Sequence, residues 1–533
     1  MKKINNRKMV SNSLIQLIIF LTLLSCEGIG SDDLNVGGGK GDEFLGITLK
    51  PTISYQKITG FGASDAWSTQ FVGKNWPLQK RNTIADLLFS EEFDVNGNPK
   101  GIGLDIWRFN IGAGSISQGN NSNINDEWRR AESFINSNGY NWNAHEGQRW
   151  FVEAAKQRGM NQFVAFSNSP PITMTKNGLA NSSGGTSANI EPSKYGDYVD
   201  FLTTVIENYR DLYGVEFNYI SPFNEPQYDW RDGQEGSPWQ NTEIANITRL
   251  LDAKIQSKNL NTKIQIAESG QLNYLYENAN KQGRANQIQD FFNSNSSNYL
   301  GNLSSLHNSI VGHSYFTTFD TSYLIDVRTK VDEEINRVNN SLEFWMTEYS
   351  IIEDNVEING NQRDLGIDPA LYVARLIHTD LTIANASSWQ WWLAVSPYDY
   401  KDGLVYIDDN KNDGEVYESK LLWGLGNYSK FIKPGYHRIG LSRSDNKTAT
   451  QSINGLLVSS YSNTDNSKYV TVFVNQRNIE IPVKLEVNGQ ESYTGKIYQT
   501  SAITNDNLRN VGTSINGNII KIPARSIVTV VIE

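Results

Sequence analysis

Between residues 58 and 394 the chain repeats one pattern: a short apolar, β-branched run, then a stretch whose apolar positions recur at helical spacing. Short apolar runs bounded by Gly, Pro, Asn or Ser read as buried strands. Eight occur, at 58–67, 104–112, 163–171, 215–226, 263–268, 310–316, 342–350 and 388–394. Helical patterns precede several of them, at 150–156, 198–209 and 370–384. Eight strands alternating with helices predict an α/β fold, a (β/α)8 TIM barrel over 58–428. After Trp423 the pattern shortens to runs at 456–461, 469–474, 483–487 and 526–532, with turn signals at Asn488-Gly489 and Asn516-Gly517. That predicts an attached all-β sandwich domain over 429–533, with 46–57 supplying its first strand or strands.

Two of the strand-like runs end in a carboxylate. Val215, Phe217 and Tyr219 alternate toward Asn224-Glu225-Pro226, where proline stops the ladder. The run 342–350 ends in Thr347-Glu348-Tyr349. In a parallel barrel the C-terminal strand ends share one face, where catalytic groups gather. Two facing carboxylates are the minimal machinery for breaking a glycosidic bond.

The N-terminus carries a different signal. Lys2, Lys3, Arg7 and Lys8 precede an apolar run at 14–24 that is too short to span a bilayer comfortably. Leu23-Leu24-Ser25-Cys26 resembles the bacterial lipobox, with Cys26, the only cysteine, as the lipidated residue. Residues 1–25 are therefore expected to be a lipoprotein signal peptide and 26–45, rich in Gly, Ser and Asp, a flexible tether. This implies an exported bacterial lipoprotein of the outer membrane, facing the periplasm or the cell surface; a monomer is expected, though no motif bears on oligomeric state. The formal charge of −11 argues against nucleic acid as a partner. Five scattered His show no ligand spacing, and the run 408–414 lacks the late Glu of a calcium loop, so no metal or other cofactor is expected.

Five motifs occur in order: Gly60-Phe61-Gly62, Arg108-Phe109-Asn110-Ile111-Gly112, Ser169-Pro170-Pro171, Asn224-Glu225-Pro226 and Thr347-Glu348-Tyr349. With the flanking β-domain, they make the chain resemble family-30 glycoside hydrolases over roughly residues 47–533. The resemblance implies a retaining, double-displacement mechanism with Glu225 as acid/base and Glu348 as nucleophile. It also suggests softer roles. Asn224 would bond the sugar 2-OH, and Arg108 would hold the nucleophile ionised unless it is a purely structural ion pair. Tyr315 would donate to Glu348, and Asp65 would contact a hydroxyl at the non-reducing side. His313 reads as a satisfied core histidine, and the role of Glu268 is open. Trp67, Trp230, Trp239, Trp391 and Trp392 are either sugar platforms or core; Trp67, Trp230 and Trp392 are taken as substrate-binding. Of Trp391 and Trp392, only one can face the lumen.

The loop 227–239 resembles the endo-β-1,6-galactanase branch, acting on arabinogalactan side chains. The alternatives are a glucuronoxylan endo-xylanase, a β-1,6-glucanase or an exo-acting β-glycosidase. The xylanase branch uses a basic residue beyond the eighth strand, where this chain offers only Lys401. A glycan-binding surface lipoprotein without activity is the non-enzyme alternative, against which the intact pair Glu225 and Glu348 counts.

Overall fold

The computed structural model describes residues 44–488, 493–515 and 518–533. Cys26, with the expected signal and most of the tether, lies outside the described residues, as do Gly489, Asn516 and Gly517. After β1 (Leu45–Lys57) come eight parallel strands: β2 (Gly60–Ser64), β3 (Ile106–Asn110), β4 (Gln162–Phe166), β5 (Tyr219–Ser221), β6 (Lys263–Ser269), β7 (Leu306–His313), β8 (Glu343–Glu348) and β9 (Ala386–Ser396). β9 pairs with both β8 and β2, so the sheet closes into a barrel.

The pleat decides what fills the lumen. Ile106, Val164, Val311 and Trp345, with Tyr219 against them, form one apolar layer inside the barrel. Side chains alternate along a strand, so Arg108, Phe166, His313 and Thr347, two residues further on, make the next layer toward the C-terminal mouth. Strict alternation would turn Glu348 outward, next to Thr347. A register irregularity against β7 between Met346 and Glu348 turns it back into the lumen.

Two further strands, β10 (Gly403–Ile407) and β11 (Val416–Glu418), extend the barrel sheet beyond β9. Apart from a short hairpin, Ile135–Asn136 with Gly139–Tyr140, the remaining strands are β12 (His437–Arg443), β13 (Leu456–Ser462), β14 (Tyr469–Asn475), β15 (Ile481–Val487), β16 (Thr494–Ser501), β17 (Arg509–Ile515), β18 (Ile519–Ile522) and β19 (Ser526–Ile532). With β1 they form one nine-stranded sheet in the order β17-β16-β19-β14-β13-β12-β1-β15-β18. It folds over its own core, bringing Ile47 and Leu485 of one wing into the same cluster as Phe473 and Val530 of the other. The opposite face of β13, β14 and β19 packs on the barrel helices Ile367–Thr382 and Lys420–Ser429, through Leu457, Val472 and Ile527. Burial on both faces explains why these three strands read as nearly continuous apolar runs, whereas β15 alternates buried and half-buried positions.

A buried ion pair braces the mouth from behind. Arg328, on helix Thr321–Val338, donates through Nε to Asp380 Oδ1 at 2.8 Å and through Nη2 to Ser314 Oγ at 2.9 Å. Trp389 Nε1 donates to Asp380 Oδ2 at 2.9 Å. Removing one partner of such a pair leaves the other charge buried alone, which costs about 3–5 kcal/mol. Arg328→Met is expected to lower unfolding stability by that order in denaturant titration, and the double change Arg328→Met with Asp380→Leu to recover most of it.

Candidate active site

Glu225 lies four residues past the end of β5 with a left-handed backbone, φ 42°. Such a conformation is sparsely populated for a non-glycine residue and persists only when its surroundings hold it. Its N–H donates to the Glu268 carbonyl at 2.8 Å, and its carbonyl accepts from Trp230 Nε1 at 3.1 Å. Glu348, at the end of β8, accepts from Arg108 Nη1 at 2.8 Å and from the Tyr315 hydroxyl at 3.1 Å. An oxygen of Glu225, an oxygen of Glu348 and a nitrogen of His313 all lie within 4.8 Å of one another.

His313 is the centre of this cluster. Its Nδ1 is 2.9 Å from Glu225 Oε1 and 3.7 Å from Glu348 Oε1, and its Nε2 is 3.0 Å from Glu268 Oε2. A ring with a carboxyl oxygen at each nitrogen donates from both, which makes it an imidazolium. Burial alone would lower its pKa. The charge of Glu348 and the bonds to Glu225 and Glu268 overcome that and push it up to about 10. Glu225, His313 and Glu348 also have the donor types and spacing of a metal-ligand set, and a metal there would have to displace the proton from the ring.

Arg108 lies below, fully buried, with its guanidinium 4.2 Å over the Phe166 ring and Nη2 3.3 Å from Glu268 Oε1. Thr347 also donates to Glu268. Burial works to raise the pKa of Glu268, but Arg108, His313 and Thr347 outweigh it and hold the group down at about 2. Glu225 goes the other way. Burial first, and the charge of Glu348 after it, raise its carboxyl to about 7, against the opposing pull of His313 and Arg108. Three carboxyls share two cations, so the cluster is neutral when one proton remains, and the raised pKa of Glu225 makes that residue the place for it.

The pair opens into a cavity of about 570 Å³. Glu225, Glu348, Tyr315, Trp67, Trp230 and Trp392 line it, and Trp67 meets Trp392 edge to face at 5.3 Å between ring centres. Trp391, on the opposite side of β9, is buried in the core with its indole bonded to the Asp402 carbonyl at 2.8 Å, and Trp239 packs on Phe223. Asn224 is buried beside Glu225 but is not on the cavity wall, and its Oδ1 has no protein partner.

Asp65, like Asn224, is buried and not on the cavity wall: its Oδ1 accepts the Asn110 N–H at 2.9 Å and ties the end of β2 to that of β3, while its Oδ2 has no protein partner. Burial raises its pKa to about 7. Lys401 is not on the wall either; its Nζ donates to the carbonyls of Asn361 and Gln362. His313 is buried and satisfied, as a core histidine would be, but its partners are the site carboxyls. The signal for it was present: His313 shares the inward register of Val311 and ends β7, and Glu268 near the end of β6 repeats the placement of Glu225 and Glu348. Tyr228, Arg129, Arg231 and Tyr400 also line the cavity, on loops whose reach no periodicity reveals.

A closed parallel barrel with a close carboxyl pair at its aromatic mouth defines a glycoside-cleaving class of protein. Residues 45–406 match O-Glycosyl hydrolase family 30, and the chain belongs to that family. It is 29% identical over 237 residues to an endo-beta-1,6-galactanase from Hypocrea rufa, a match covering 40% of this chain and 47% of that protein, so the chain spans about half of this relative's length. It is 24% identical over 395 residues to glucuronoxylanase XynC from Bacillus subtilis (strain 168), covering 72% of this chain and 78% of the relative. Among solved structures, a conserved exported protein from Bacteroides fragilis superposes with a TM-score of 0.86 at 35% identity, over 91% of this chain and 99% of that one.

The charge balance is open to direct titration. Isotope-edited infrared or NMR titration is expected to find the Glu225 carboxyl protonated below about pH 7. His313 pulls that pKa down, so His313→Gln is expected to move the Glu225 titration to higher pH; a downward move would contradict the assignment.

Proposed function

We propose that the protein is a retaining endo-β-glycanase in which Glu225 is the acid/base and Glu348 the nucleophile. One observation carries the reading: the carboxyl oxygens of the two residues approach within 4.8 Å. Retaining enzymes space their carboxyls at about 5–5.5 Å, too close to admit the water an inverting enzyme activates. Glu225 protonates the glycosidic oxygen as Glu348 attacks the anomeric carbon, giving a covalent glycosyl-enzyme. Glu225, now ionised, then takes a proton from water, and the hydroxide oxygen displaces Glu348 from the anomeric carbon. Arg108 and Tyr315 hold the attacking carboxylate in one orientation by charge-assisted hydrogen bonds. Asn224 is assigned to a substrate hydroxyl because its buried Oδ1 lacks a partner. Trp67, Trp230 and Trp392 are assigned to sugar rings because they flank the pair on the cavity wall.

For substrate we infer β-1,6-galactan of arabinogalactan side chains, supported by the likeness of the 227–239 loop and by the similar galactanase. Lys401 is engaged by backbone carbonyls, which speaks against glucuronate recognition at that position. Glucuronoxylan is the second reading, favoured by the longer match to the glucuronoxylanase and by Arg129 and Arg231 on the cavity wall. We also retain export and lipid anchoring at Cys26 to the outer membrane; the similar Bacteroides fragilis protein is described as exported.

Digestion of β-1,6-galactan, glucuronoxylan and β-1,6-glucan with product sizing tests the substrate. Short oligomers from the galactan alone are expected; monomer alone would mean exo action. Glu348→Gln is expected to cut kcat by ~10^4-fold or more while leaving oligosaccharide affinity in place. Unchanged turnover on every glycan would sink the assignment. Glu225→Gln is expected to cost ~10^2- to 10^4-fold on natural glycans, and far less on nitrophenyl glycosides, whose leaving group needs no proton. The working acid is the protonated form and its pKa is raised to about 7, so kcat/KM is expected to be level just below that pH and to fall as pH rises through it.

A further inference from the structure

At the opposite end of the barrel lies a second cavity, of about 330 Å³, between helix Ile367–Thr382, the end of β1 and the strands β12 and β13. Arg438 in its wall donates to Asn385 Oδ1 at 2.6 Å, and Asn385 directly precedes β9. Trp392, near the other end of that strand, faces the carboxylate pair, so the two cavities are separate. The lining includes His378, Arg438, Arg443 and Lys447 but no Asp or Glu, in a chain with a formal charge of −11.

The cations here are not equally satisfied. Arg443 forms a forked pair with Asp445, at 2.9 Å from Nε and 2.8 Å from Nη2. In direct contact Arg438 is held by neutral groups, Gln56 Oε1 at 3.0 Å, Asn385, and the Tyr55 ring at 3.7 Å, while a counter-charge lies one step away: Asp332 accepts from Asn385 Nδ2 at 2.7 Å. Among the described residues no carboxylate lies within 4 Å of it. A half-buried guanidinium with no carboxylate in direct contact keeps the capacity to take an anion by charge-assisted hydrogen bonds. His378 adds a second, independent sign. Its side chain is 95% buried by residue (5% exposed), and its Nδ1 has no partner. Burial, then the nearby Arg438 and Arg443, push its pKa down to about 3, so the ring is neutral near pH 7.

We propose that this cavity binds a small oxyanion, a carboxylate or a sulfate-type group, between Arg438 and His378, with Lys447 contributing further positive charge. A planar fork and a nearby imidazole suit two or three oxygens on one centre. The volume is at the low end for ligand cavities, about 300–1,000 Å³, enough for an inorganic anion or a single sugar acid. An anion there opposes the field of Arg438 and Arg443 and raises the pKa of His378 from its depressed value, so proton uptake on binding grows, and binding tightens, as pH falls. Occupancy also links the barrel helix to the sheet domain and stabilises the folded chain.

Calorimetric and thermal-shift titrations of the intact protein test this with two probes, sulfate and glucuronate, against sodium chloride at matched ionic strength. Both probes keep a fixed charge across the neutral range, so any pH dependence belongs to the protein. Saturable stabilisation that strengthens toward lower pH, with proton uptake on binding, is expected. Preference for glucuronate assigns the site to a sugar acid, and preference for sulfate to an inorganic or sulfo group. Arg438→Gln is expected to raise Kd by about tenfold or more, the value of a charge-assisted hydrogen bond. If that variant does not fold, His378→Asn carries the test: it should lose the proton uptake while its kcat on glycans stays at the wild-type value. Stabilisation no better than that by chloride, or proton uptake unaltered in His378→Asn, would overturn the proposal.

Discussion

Two buried cations, Arg108 and His313, hold three buried carboxyls at the barrel mouth, and the rest of the site depends on that balance. Ionised groups taken out of water are stable only when paired and hydrogen-bonded. Glu268 is the fixed counter-charge: it touches both cations and is held far below the ordinary carboxylate range. With Glu268 committed, the raised pKa of Glu225 makes it the holder of the remaining proton, and in the proposed reaction Glu348 is the attacking group. The balance also survives the proposed reaction. When the proton leaves Glu225 for the departing sugar, Glu348 gives up its charge to a covalent bond, so the buried cluster's net charge does not change and little reorganisation is required.

Such a cluster needs backbone that regular strands do not supply. Glu225 and Glu268 both have positive φ, and Glu348 follows a slip in register against β7. Each irregularity costs free energy and is kept in place by its neighbours, as the Glu225 N–H to Glu268 carbonyl bond illustrates. Support extends outward through Ser314, which precedes Tyr315 and is gripped by Arg328. It continues through helix Ile367–Thr382, wedged between the barrel and the folded β-sheet.

Much of this was legible in the residues. Eight strand-like runs announced the barrel because fully buried parallel strands must be apolar. Pro226 and the strand-end position marked Glu225, and period-two alternation separated Trp392 from the core-facing Trp391. Asp65 was legible only as a strand-end acid: whether it faces the sugar or the Asn110 N–H depends on how the chain turns after β2, which no periodicity encodes. The strand-end register of His313 was visible, but its role was not, because that role comes from Glu225 and Glu268, both remote in sequence. The second cavity was equally hidden, since His378, Arg438 and Lys447 meet only when β12 docks against the barrel helix.

The most direct measurement is to trap the reaction half-way. A 2-deoxy-2-fluoro glycoside with a good leaving group slows departure of a glycosyl-enzyme enough for peptide mapping by mass spectrometry. Label on Glu348, released on adding an acceptor sugar, is the expected result. Label on Glu225 or Glu268, or a first product of inverted anomeric configuration with no labelled enzyme, would contradict the claim that Glu225 and Glu348 act together across one glycosidic bond.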